Sequence, residues 1–127
     1  MLQANVESSK YQETINRAVD YVENLGFEDL KARSEGYEAP TSLRLKGSDI
    51  SFTPDITATK NGAKYYFEIA DRTENPTDVV GKWKLMSTLA SMKNGDLRIF
   101  VPYGSMKYTN DILKNKNIDA EIIKLSR

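Results

Sequence analysis

Neither cysteine nor histidine occurs among the 127 residues. Without cysteine there can be no disulfide, no thiolate metal site and no thiol nucleophile. Without histidine there can be no Ser-His-Asp catalysis, no imidazole general base and none of the usual zinc sites. Acid–base or metal chemistry must therefore rest on Asp, Glu, Lys, Arg or Tyr. A cation held by carboxylates alone would be a hard one, such as Mg²⁺ or Mn²⁺. An excess of either charge is also missing, since 18 basic residues balance 18 acidic ones. That balance argues against tight non-specific binding to nucleic acid, which is driven by phosphate neutralisation. No stretch is long and apolar enough to span a membrane. The opening MLQANVESSK lacks the basic and apolar regions of a signal peptide. The chain is accordingly expected to be cytoplasmic, with no membrane partner.

Hydrophobic residues make up 39% of the chain, enough for the core of one domain over residues 1–127. The charges are unevenly placed. Residues 1–75 carry 9 basic and 13 acidic side chains, a net of −4, and residues 76–127 carry 9 and 5, a net of +4. A basic half can face a polyanion, although scatter over solvated helix faces gives the same count.

Helix and strand signals alternate. Tyr11, Ile15, Ala18, Val22 and Leu25 recur on one face of a helix expected over 9–25. Ser9 and Gln12 stand at capping-box spacing and Gly26 is a stop. Extended segments are expected over 27–32, 42–46 and 52–59. Lys60-Asn61-Gly62 then turns the chain into a partner strand over 63–70, because Asn-Gly favours a tight hairpin. Asn75, Pro76 and Asp78 are suited to the start of a helix with an apolar stripe of Val79, Trp83, Met86, Leu89 and Ala90, ending at Asn94-Gly95. A buried strand over 97–101, a helix over 105–114 and a last strand over 118–125 complete an α/β fold. The helices between the later strands imply right-handed crossovers and a mixed central sheet flanked by helices on both faces.

The segment FTPDITATKNGAKYYFEIADR, residues 52–72, carries most of the chemistry. Asp55 opens the first hairpin strand and Glu68 lies late in the second, so the hairpin brings them together. Two adjacent carboxylates repel each other unless a divalent cation sits between them. Strand alternation puts Ala70 on the Glu68 face and Phe67 and Ile69 on the other.

Pro54-Asp55, a hairpin and then Phe67-Glu68-Ile69-Ala70 resemble the PD-(D/E)XK nuclease superfamily, the restriction-endonuclease-like fold. The element order is similar to its αβββαβ core, and the helix with Lys82-Trp83 and the strand RIFVP are similar to segments of several members. The resemblance spans roughly residues 9–125. It implies that Asp55 and Glu68 hold Mg²⁺ or Mn²⁺, with the backbone carbonyl of Ile69 as a further ligand. The cation would activate a water and stabilise charge on a phosphodiester. The family's lysine, which orients or deprotonates that water, is replaced by Ala70. Lys82 on the next helix is the first candidate to replace it and Lys84 the second. Arg72 is an alternative if the strand continues that far. The family's further glutamate from the first helix has no clean counterpart, since Glu13 faces water by helical phase and Glu7 precedes the cap.

Asp49 and Asp71 read as turn or solvated residues. Tyr65, Tyr66 and Phe67 read as core rather than as base-stacking residues, and Ser105 reads as a helix cap. The leading expectation is thus a metal-dependent nuclease acting on nucleic acid, with DNA ahead of RNA and a homodimer compatible with cutting two strands. An alternative is a catalytically inactive nuclease-fold protein that binds nucleic acid or a protein partner. A third is an α/β interaction module with no such ancestry.

Overall fold

A computed structural model describes residues 9–44 and 46–125, with the side chain of Ser9 outside the description. The first helix, α1 (Ser9–Asn24), buries Ile15, Ala18, Val19 and Val22 against the sheet. The stripe stops one turn earlier than the periodicity suggests. Leu25 lies past the helix end and is exposed, because Gly26 at φ +82° turns the backbone away. Any cap by the Ser9 side chain, and Glu7 itself, lie outside the described residues.

The first strand, β1 (Glu28–Ala32), is an edge strand broken by a bulge at Asp29, which has φ +51°. The expected strand over 42–46 contracts to β2 (Leu43–Arg44). It pairs only with β3 (Ser51–Phe52), forming a separate two-stranded sheet. The segment expected as one strand over 52–59 is divided. Pro54 offers no amide to a ladder, so β3 ends before it and β4 (Ile56–Lys60) begins after Asp55.

The Asn61-Gly62 turn has both residues at positive φ, 53° and 83°, and closes a two-residue hairpin between β4 and β5 (Ala63–Ile69). The second helix, α2 (Pro76–Met92), is capped by Asn75, whose Oδ1 accepts from the Thr77 amide at 2.8 Å. It buries Val79, Trp83, Met86 and Ala90, with Leu89 half-buried. Gly95 then lets the chain pass so close to β5 that a β-carbon there would stand 1.7 Å from the Lys64 carbonyl oxygen. The third helix, α3 (Met106–Asn115), follows β6 (Leu97–Val101) and leads to β7 (Glu121–Lys124), shorter than the expected 118–125. Ser105 occupies the cap position of α3, but its side chain makes no capping bond.

The fold is α/β, with a mixed five-stranded sheet in the order β1-β4-β5-β6-β7 flanked by three helices. β4 and β5 are antiparallel, and β5, β6 and β7 run parallel through the crossovers α2 and α3. Each face has its own core. Ile15, Val22, Ile56, Phe67 and Phe100 pack on the α1 side, and Trp83, Met86, Leu97, Ile99 and Ile112 pack on the α2 and α3 side. Tyr66 and Phe67 are core residues as expected, while Tyr65 is half-buried. No helix among the described residues is long and apolar enough to cross a membrane.

Candidate active site

Asp55 stands where Pro54 interrupts the sheet, and its polar groups take over the ladder bonds on both sides. Its carbonyl accepts from the Arg33 amide just past β1 at 3.0 Å, and its own amide donates to Glu68 Oε2 at 2.9 Å. Its Oδ2 accepts from the Ile69 amide at 2.9 Å. The two acids are therefore stitched together reciprocally, each carboxylate accepting from backbone in the other's strand. Asp55 Oδ1 accepts from the Tyr11 hydroxyl of α1 at 2.7 Å and lies 3.6 Å from Arg33 Nη1. The Arg33 guanidinium also stacks on the Tyr11 ring.

Glu68 is fully buried on the α2 face of the central strand. Its Oε1 accepts from Trp83 Nε1 at 3.3 Å and lies 3.4 Å from Lys82 Nζ. Burial, and then repulsion from Asp55, push its carboxyl up to about 8, although Lys82 and the Asp55 amide oppose the shift. Lys82 reaches the acid by lying along the edge of the α2 stripe, and its ammonium is held on the other side by Glu74 Oε2 at 2.7 Å. Burial alone would lower its pKa, but Glu68 and Glu74 outweigh burial and hold it above the ordinary lysine value.

Asp55, Glu68 and Lys82 thus converge from three elements. Ile69 is tied to Asp55 through its amide, so its peptide lies beside the acid pair. Ala70 points into the apolar cluster with Val79 and Trp83, a place that suits a methyl group and not an ammonium. The other two candidates do not join the site. Lys84 is exposed, since it lies two residues from Lys82 on a helix. Arg72 lies beyond the end of β5 and donates to the Gly104 carbonyl instead.

Glu13 is exposed, as its helical phase requires. Asp71 accepts from the amide and hydroxyl of Thr73 in a turn. Asp49 is exposed, and in its turn Ser48, not Asp49, accepts from the Ile50 amide.

Tyr11, Arg33, Glu74 and Trp83 are the members that sequence reasoning did not assign to the site. Tyr11 and Trp83 were hidden within apolar stripes, where only their polar tips distinguish them. Thr57 shares the Asp55 side of β4, and its buried hydroxyl has no hydrogen-bond partner among the described residues.

The donor set suits a hard cation in one respect. Asp55 Oδ2 and Glu68 Oε2 each accept one backbone hydrogen bond and retain acceptor capacity, while Asp55 Oδ1 and Glu68 Oε1 each face a hydrogen-bond donor and a cation. Mg²⁺ commonly takes one or two carboxylates, completing its shell with water and substrate phosphate. Asp55 also repels the Glu68 carboxylate, adding to the larger effect of burial in raising the Glu68 carboxyl. Among the described residues, no group of three or more acidic side chains converges to form a fuller cage. Comparison of the chain with protein-family models, with curated proteins and with solved structures finds no match.

Proposed function

We propose that the chain is a divalent-metal-dependent phosphodiesterase acting on nucleic acid, built on a restriction-endonuclease-like core. The observation that carries this reading is Lys82, which stands 3.4 Å from Glu68 and supplies the ammonium that Ala70 lacks. Asp55 and Glu68 would hold Mg²⁺ or Mn²⁺, with the Ile69 carbonyl beside them. The cation supplies Lewis acidity, easing deprotonation of water and offsetting charge that gathers on the phosphodiester. Lys82, fixed by Glu74, orients the attacking water and adds positive charge. Arg33, 3.6 Å from Asp55, would add a second positive charge beside the acid pair.

The experiment is cleavage of single-stranded, duplex and branched DNA and of RNA with Mn²⁺. The reading expects metal-dependent strand cleavage that Glu68→Gln abolishes and Lys82→Met lowers by about 10²-fold or more. Activity unchanged in both Asp55→Ala and Glu68→Ala would contradict it.

A second reading has its own support. All four oxygens of the acid pair already accept protein hydrogen bonds, and Lys82 and Arg33 balance the two charges. On that reading the cluster is a polar lock, and the chain is an inactive nuclease-fold protein that binds nucleic acid or a protein. Cleavage that requires Glu68 excludes the second reading.

A further inference from the structure

At the hairpin end of the sheet, on the face opposite Glu68, α1 stops short and leaves a recess of about 530 Å³. Phe27 and Tyr65 line it, packed edge to face with centroids 5.0 Å apart. Two cations lie over these rings. The Arg98 guanidinium is 5.0 Å from the Tyr65 centroid, and Lys60 Nζ is 5.1 Å from that of Phe27. Asn61 and Asn94, each at positive φ in a turn, bring two amide side chains to the wall.

The protein partners of these cations leave donors to spare. Arg98 is held through Nε by Asp96 at 2.8 Å and Glu121 at 3.6 Å, and no bond of Nη1 or Nη2 to a described residue accompanies them. The Arg98 side chain is half-buried, and its two-pronged edge has donor capacity left over. Lys60 donates once, to the Leu25 carbonyl at the end of α1, and an ammonium has three protons.

We infer that this recess is a binding site for a single unpaired nucleotide, either free as a nucleoside monophosphate or as one residue of a single strand. The base stacks on the Arg98 guanidinium plane that already lies on Tyr65, a mode in which bases rest on arginine and aromatic faces. The phosphate takes the free donors of Lys60 and Arg98, which suit its oxygens. The Asn61 and Asn94 amides are available to the base edge. The volume is within the range of small-ligand pockets. None of these residues touches Asp55 or Glu68, so the site stands apart from the phosphodiesterase reading.

Isothermal calorimetry on the full chain tests it, without divalent metal, so that the result is independent of the acid pair. The probes are AMP, inorganic phosphate and an adenine hexanucleotide. Saturable AMP binding below about 1 mM is expected. Lys60→Gln and Arg98→Gln should each weaken it by about tenfold, with thermal melts confirming the fold. Phosphate alone should bind more weakly than AMP. The hexanucleotide binding more tightly than AMP would identify the occupant as a strand, and AMP binding at least as tightly would identify it as the free nucleotide. No AMP binding at millimolar concentration would overturn the inference. So would binding that both substitutions leave unchanged, or phosphate binding as tightly as AMP.

Discussion

Glu68 gives the site a measurable electrostatic property. Its folded carboxyl is raised to about 8 from an ordinary 4.5, so the folded chain holds a proton that the unfolded chain releases at lower pH. The stability that follows from this is fully present below about pH 4.5 and is lost as the pH rises through about 8. Urea unfolding of wild type and Glu68→Gln across pH 5 to 9 should show the difference between them shifting in favour of the variant as pH rises. A pH-independent difference would contradict that. Thr57 offers a second test at this scale. Its buried hydroxyl lacks a partner, so Thr57→Val should leave stability unchanged or raise it by about 1 kcal/mol, read as a shift in the urea midpoint at constant slope. Asp55, Glu68 and Lys82 were legible because their spacing around a tight hairpin and along one helix limits where they can lie. Tyr11, Arg33 and Glu74 were not. Tyr11 reaches Asp55 from 44 residues away, a contact that only the assembled sheet creates.

Among the elements, α2 does the most to build the site. Its Asn75 cap and apolar stripe fix its rotation, and consecutive residues Lys82 and Trp83 then both reach Glu68 Oε1. Trp83 provides the buried anchor and Lys82 the charge beside it. Lys82→Met should accordingly drive the Glu68 carboxyl further up, measured by carboxyl-carbon NMR titration, because the cation that opposes the shift is gone. The C-terminal end of the same helix depends on Gly95. Gly95→Ala forces a methyl group against the Lys64 carbonyl and should cost about 1–3 kcal/mol by urea unfolding. The helices and the β4–β5 hairpin follow from periodicity, caps and an Asn-Gly turn, all local signals. The division into β3 and β4, and the departure of β2 from the main sheet, do not. Alternation continues across Pro54, and only the missing amide reveals that the ladder cannot.

At the scale of the whole molecule, the sheet separates two charged places. Glu68 and Lys82 lie at one end on the α2 face, with Asp55 linking them to Tyr11 of α1, and the Lys60–Arg98 recess lies at the other end on the α1 face. Each brings together residues from both the −4 and the +4 halves of the sequence. The central claim is that the stitched acid pair takes a hard divalent cation. Calorimetric titration of Mn²⁺ into the wild type and into the Asp55→Asn/Glu68→Gln double variant, both checked for native fold by circular dichroism, tests it without knowledge of the substrate. The account predicts saturable binding by the wild type and none by the variant. No binding by the wild type at millimolar Mn²⁺, or equal binding by both proteins, would contradict it and leave the cluster as a polar lock.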